Sequence, residues 1–140
     1  MMAYCAYQDR CHWEVEQKMR DFLLIPEAKD ELYLYLIKEN YLNEERFVRS
    51  YIRGKFVIKH WGRNKIRQHL KQKQIPTKLI EKCWDEINEE DYVQTLKKLY
   101  ESYGSSQKGN EFSRRQKSIR HLLSKGFEYE IILEFLTDDH

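Results

Sequence analysis

The chain repeats itself, and that limits its folds more than any single motif does. Shifted by 52 positions, Arg63, Lys65, His69, Leu70, Lys73, Ile75, Leu79 and Ile80 fall on Arg115, Lys117, His121, Leu122, Lys125, Phe127, Ile131 and Ile132. Shifted by 45 positions, Asn43-Glu44-Glu45-Arg46-Phe47-Val48 falls on Asn88-Glu89-Glu90-Asp91-Tyr92-Val93. Two kinds of segment recur, so one structural unit is copied, and copied units stack on their neighbours.

Each copy reads as helical. Apolar residues return at three- and four-residue steps, as in Ile119, Leu122, Leu123 and then Ile131, Ile132, Phe135, Leu136, the period of a helix with one buried face. Punctuation separates the helices. Gly126 stands where a helix C-cap needs a positive φ, and Pro76 and Pro26 follow Ile75 and Ile25 where new helices can start. Asn43 and Asn88 suit N-caps, because their side chains can accept an orphan backbone N–H, and the Glu pair after each faces the positive end of the helix dipole. The expected fold is all-α: a tandem array of three-helix repeats, about eight helices, elongated and curved because such repeats touch mainly their neighbours. The copies are placed at 1–58, 59–104 and 105–140, the last lacking its third helix. The polar stretch Gly104 to Asn110 reads as a hinge or mobile loop.

Charge is segregated along the chain. Residues 46–73 hold ten Lys and Arg and no Asp or Glu, although the whole chain has 25 basic and 23 acidic side chains. At about 100° per residue, Arg46, Arg49 and Arg53 share one face of their helix while Phe47, Val48, Tyr51 and Ile52 take the other. Arg63, Arg67 and Lys71 form an i, i+4, i+8 row on the next helix, a spacing at which like charges weaken an isolated helix. Residues 112–127 make a smaller acid-free zone. An anionic partner, nucleic acid or an acidic protein surface, is therefore expected. The contact candidates are Arg46, Arg49, Arg53, Lys55, Lys59, Arg63, Arg67 and Lys71, with Arg114, Arg115, Lys117 and Arg120 as a second patch. Tyr51, Phe56 and Trp61 lie in the stripe and read as packing residues, Trp61 as a wedge where the first two copies meet.

Catalytic chemistry finds little support. Cys5, Cys11 and Cys83 form no C-x-x-C pair, and Cys5 with Cys11-His12 lacks an obvious fourth zinc ligand. His60, His69 and His121 lie among basic residues with no neighbouring carboxylate to tune them. The carboxylate groups sit at helix starts or at the terminus, and no phosphate-cradling loop, dinucleotide fingerprint or nucleophile elbow occurs. No enzyme activity, metal or cofactor is expected. No apolar run approaches the roughly 18–20 residues of a membrane-spanning helix, and Met1–Gln8 lacks the regions of a secretory signal. A soluble, cytoplasmic protein is expected. Nothing calls for a heptad-type partner helix, so a monomer is expected too.

Three segments in order resemble the RecX family of bacterial regulators: residues 41–51 (Tyr41 to Tyr51, with Asn43-Glu44-Glu45-Arg46-Phe47), residues 61–70 (Trp61 to Leu70) and residues 115–127 (Arg115 to Phe127). Gln74 and Leu24 stand where that family often has glycine, and Ser118 stands where an apolar residue is usual. The resemblance implies three-helix repeats and a non-enzymatic modulator of the RecA recombinase. Such a protein would lie in the groove of the RecA–single-stranded DNA filament and suppress strand exchange, ATP hydrolysis and coprotease function, within homologous recombination, DNA repair and the SOS response. A rival reading from the same basic helices is a sequence-tolerant or helix-turn-helix protein that binds DNA alone. Against it, the helix after Pro76 carries Glu81 and runs into Asp85 and Glu86, a poor match for a DNA groove.

Overall fold

The computed structural model describes residues 1–20 and 26–138, with the backbone alone at Asp138. All regular structure among them is helical: α1 Met2–Tyr7, α2 His12–Met19, α3 Pro26–Lys38, α4 Glu44–Val57, α5 Arg63–Gln72, α6 Thr77–Lys82, a 3-10 turn at Trp84–Glu86, α7 Glu89–Ser106, α8 Glu111–Ser124 and α9 Tyr129–Asp138. Nine α-helices are thus described where the repeat pattern predicts about eight. Leu24 and Ile25 lie outside the described residues, while Pro26 opens α3.

The helix starts follow the caps. Asn43 Oδ1 accepts the Arg46 N–H at 3.0 Å, and Asn88 Oδ1 accepts those of Glu90 and Asp91 at 2.8 and 3.3 Å. Such a cap contributes about 1 kcal/mol. Asn110 does the same for α8, accepting the Ser113 N–H at 2.8 Å. The stretch 104–110 therefore is not a seven-residue hinge. Gly104 to Ser106 complete α7, and Gly104 lies against a neighbour: a Cβ there would sit 3.1 Å from Ser118 Oγ. Ser118 is buried. Two small residues facing each other let α7 and α8 approach closely, which accounts for serine at a position the resemblance reserves for a larger apolar side chain.

Helix ends turn through left-handed residues, Asn40 (φ 61°), His60 (φ 57°), Gln74 (φ 61°) and Gly126 (φ 98°). Gln74 and Gly126 are equivalent under the 52-residue shift and share this conformation. The turn survives loss of its glycine, at a strain of roughly 1–2 kcal/mol.

Two compact units result. One comprises Met1–Tyr51 with Leu70–Trp84, the other Ile52–His69 with Asp85–His140. In the first, Cys5, Val15, Met19, Leu36 and Leu42 form a core flanked by Tyr4, Leu32, Tyr33 and Tyr41. Tyr33 Oη donates to Glu16 at 2.6 Å, and Lys29 pairs with the same carboxylate at 2.6 Å.

In the second unit the Tyr92 ring stacks on Phe56 and tilts against Phe127, with centroids 5.7 and 5.1 Å away. Leu96, Leu122, Ile132 and Leu136 are buried as well. Each such side chain contributes about 1.5–3 kcal/mol of burial. Two glycines bring backbone onto backbone here. The Gly62 N–H donates to the Lys125 carbonyl at 2.7 Å and the Asn64 N–H to the Gly126 carbonyl at 2.9 Å. A Cβ on Gly62 would lie 2.4 Å from the Gly126 carbonyl carbon. Backbone cannot give way as a flexible side chain can. Gly62→Ala should therefore lower stability by more than about 2 kcal/mol, whereas Gly54→Ala, within α4 and with nothing inside 4 Å of the new methyl, should raise it by about 0.5–1 kcal/mol. Urea unfolding of both variants checks the contrast.

Candidate basic partner-binding surface

The basic stripe seen in the sequence is sorted by the fold into paired and outward cations. In the first unit, Arg46 Nε donates to Asp9 Oδ1 at 2.7 Å and its Nη2 donates to the Tyr41 carbonyl at 3.2 Å. Arg49 Nε lies 3.3 Å from Glu45, Lys73 Nζ lies 2.8 Å from Glu14, and Lys71 is exposed. In the second unit, Arg53 lies 3.4 Å from Glu86 yet keeps 59% of its side chain exposed, and Arg67 Nη1 donates to Asn64 Oδ1 at 2.8 Å. The expected cationic face of Arg46, Arg49 and Arg53 is thus ion-paired at each position within its own unit. Asp9 and Glu86 come from distant parts of the sequence, and Glu45 lies one turn earlier on α4.

Arg63 departs furthest from expectation. Read from sequence as the first residue of a presented row, it is only 8% exposed. Its guanidinium lies over the Tyr92 ring, 3.9 Å from the centroid, donates to Glu128 Oε2 at 2.8 Å, and pairs with Glu89 through Nη2. The Arg63 N–H donates to Tyr92 Oη at 3.0 Å, and that hydroxyl in turn donates to Glu128 Oε1. Burial opposes the charge. The Glu128 carboxylate, with Tyr92 and Glu89, outweighs it and holds the guanidinium above its ordinary value. Burial, then Glu128, pushes the Tyr92 phenol far up, so it remains a neutral donor. Arg63 is a structural cation, not a contact residue.

Two groups of cations in this unit are candidates for a partner. On α8, Arg114, Arg115 and Arg120 are exposed and make no ion pair among the described residues, and Lys117 Nζ donates to the Lys108 carbonyl at 3.1 Å. Arg115 also helps line an open groove of about 340 Å³ with Phe112, Gln116, Ile119, Tyr129 and Leu133. Sequence reading missed this groove. Its signal is the i, i+4, i+7 spacing of Phe112, Gln116 and Ile119.

The second group surrounds the Gly62–Gly126 contact. Lys125 Nζ donates to the Lys59 carbonyl at 2.9 Å. The Lys55 and Lys65 ammonium groups sit 5.1 and 4.6 Å from the centroid of Trp61, whose ring also meets His69 at 4.6 Å. Trp61 is therefore a half-buried ring among cations rather than the packed wedge the sequence suggests. Lys65 and Lys125 went unnoticed as candidates because only folding brings them together.

The thiols are all buried, and burial pushes Cys11 up to about 11. Among the described residues no three His, Cys, Asp or Glu side chains gather as a metal-binding set, and no helix is long and apolar enough to cross a membrane.

Fold and surface together define a class: a helical-repeat protein with localised groups of outward cations. Comparison with known proteins narrows it. Family models for the second and third three-helix domains of RecX match residues 43–83 and 89–136, which correspond to α4–α6 and α7–α9, each starting at or just after an Asn cap. "Regulatory protein RecX" of Streptococcus agalactiae serotype V is 31% identical over 134 residues, 92% of this chain and 50% of that protein. Its counterpart in Lactobacillus johnsonii is 28% identical, over 93% of this chain and 48% of the relative. The crystal structure of RecX from Lactobacillus salivarius matches with a TM-score of 0.83 at 25% identity, covering 98% of this chain and 90% of that one. A further crystal structure of regulatory protein RecX matches in fold with a TM-score of 0.86 at 24% identity, covering 98% and 69%. The chain belongs to the RecX family of regulatory proteins, and it spans about half the length of the curated relatives it matches.

His121 supplies a pH test of this region. Its ring stacks on Tyr103 at 4.0 Å and 5°, and burial, then the charge of Lys125, holds it below its ordinary value of 6.5. The unfolded chain thus protonates His121 at higher pH than the folded chain does. This contribution to stability is fully present above pH 6.5 and is lost as the pH falls toward the folded-state value. Between about pH 7.5 and about pH 5.5, the parent chain should lose more stability than His121→Phe, which keeps the stack but cannot titrate. Urea unfolding at both pH values measures the difference.

Proposed function

We propose that this chain modulates RecA by docking on the RecA–single-stranded DNA filament, in its groove, and that it mostly lowers strand exchange, ATP hydrolysis and coprotease activity. It would work in the cytoplasm as a monomer without chemistry of its own. The observation that carries this reading is the outward cationic surface on a RecX fold: Arg114, Arg115 and Arg120 stand exposed, while Arg46, Arg49, Arg53, Arg63 and Lys73 of the stripe are held by the protein's own acids. Outward charge of one sign speeds encounter with an anionic partner and fixes its orientation.

In this reading the pattern copies 1–58, 59–104 and 105–140 supply recurring contacts along a recurring partner, so several weak contacts add as avidity. Equivalent positions need not do equal work. Arg115, the counterpart of Arg63 under the 52-residue shift, faces outward where Arg63 is buried.

The test is the DNA-dependent ATPase rate of RecA filaments titrated with the chain. The rate should fall at concentrations that do not saturate the same DNA without RecA, and Arg114→Glu/Arg115→Glu/Arg120→Glu should need roughly tenfold more protein for the same effect at unchanged helicity. An unchanged rate together with tight binding to bare DNA would hand the case to a protein acting on DNA alone.

A further inference from the structure

Three lysines spring from one backbone junction in the second unit. Lys59 precedes the left-handed His60, Lys65 sits in the first turn of α5, and Lys125 closes α8. The Gly62–Gly126 contact forces them together. Lys125 donates to the Lys59 carbonyl at 2.9 Å, and Gly126 lies so close to Lys65 that an added Cβ would fall 2.4 Å from the Lys65 Cβ. None of the three makes an ion pair among the described residues. Two arginines of the same unit differ from them, since Arg63 pairs with Glu89 and Glu128 and Arg53 with Glu86, whereas Arg114, Arg115 and Arg120 stand exposed without an acidic partner among the described residues.

A guanidinium matches a carboxylate with a planar fork and tolerates burial, whereas an ammonium is a compact, rotatable point charge that binds phosphate oxygens from many directions. The cluster carries its own strain. Burial, then the charges of Lys65 and Lys59, hold the Lys125 ammonium below its ordinary value. A bound anion relieves like-charge repulsion of this kind, and a ligand that binds only the folded state stabilises it.

We propose that Lys59, Lys65 and Lys125 form a binding site for successive phosphodiester groups of a single-stranded polynucleotide, with Trp61 beside it as a stacking surface for an unpaired base. The aromatic neighbour selects a polynucleotide over an acidic protein segment. The Lys65 ammonium rests 4.6 Å from the centre of the half-buried Trp61 ring, and a phosphate that draws this ammonium away uncovers the ring. A single strand can offer a base there, whereas a duplex keeps its bases stacked. The proposal rests on the filament reading for its setting, because it names where the DNA strand meets the chain. It is tested without RecA, so either can fail alone.

The probe is a fluorescein-labelled oligothymidylate of about 15 nucleotides, followed by anisotropy with the full chain from about 50 to about 200 mM salt. The parent chain should bind it. Lys59→Gln/Lys65→Gln/Lys125→Gln should bind at least tenfold more weakly, with the slope of log K against log salt shallower by about 2, as expected for three lost single-strand phosphate contacts. Lys97→Gln/Lys98→Gln/Lys108→Gln removes the same charge from exposed positions and should stay within about twofold of the parent. The first triple variant relieves like-charge repulsion but gives up the Lys125 bond to the Lys59 carbonyl and the Lys65 contact with Trp61, so it should keep the parent's helicity and melt within a few degrees of it, and this separates lost binding from lost folding. The proposal is overturned if the parent does not bind oligothymidylate, if both triple variants weaken equally, or if polyglutamate of equal charge competes as well as unlabelled oligothymidylate. Lysine-dependent binding by a chain that leaves the RecA ATPase untouched would sustain this site while sinking the filament reading.

Discussion

One buried guanidinium organises the second unit. Arg63 is held by two carboxylates and an aromatic face, and its own N–H is taken by the hydroxyl of that same aromatic residue, Tyr92. Taking a cation out of water costs several kcal/mol, and removing one partner of such a group typically destabilises by about 3–5 kcal/mol. The arrangement therefore tolerates little displacement of α5, α7 or the turn before α9. It also solves the ordinary problem of a helix start. The first N–H groups of a helix lack partners within it, and here those of Gly62, Arg63 and Asn64 are given to Lys125, Tyr92 and Gly126.

The same fixed junction explains where the charge points. With Gly62 pressed on Gly126, Lys59, Lys65 and Lys125 are gathered around the contact. Arg63 turns inward to Glu89 and Glu128. Sequence composition shows a basic stripe, whereas the fold divides it: Arg46, Arg49, Arg53, Arg63 and Lys73 are tied to carboxylates, while Lys59 and Lys65 are not, among the described residues. The cations of the stripe left without an acid are thus a smaller set than the count of ten suggests.

The fold was legible because its signals are local. Helical spacing, the caps at Asn43 and Asn88, the start after Pro76 and the positive φ at Gly126 each depend on a few neighbouring residues, and the internal repeat checks them twice. The site was less legible because ion pairing is not local. Asp9 lies 37 residues from Arg46, Glu89 26 residues and Glu128 65 residues from Arg63, distances over which a charge count carries no information. Gly104 misled for a related reason. Glycine and serine suggest a hinge when read alone, but opposite a buried Ser118 they suggest close packing. Asn110 gave its cap signal openly and was absorbed into the supposed loop.

Amide hydrogen exchange at Gly62, Arg63 and Asn64 tests the central claim most directly. If the Arg63–Tyr92–Glu128 arrangement and the glycine contact hold this junction, these three amides exchange as slowly as the interior of α5, at rates set by global unfolding. Exchange near the rate of a solvent-exposed helix start would contradict that account, and with it the reason for the convergence of Lys59, Lys65 and Lys125.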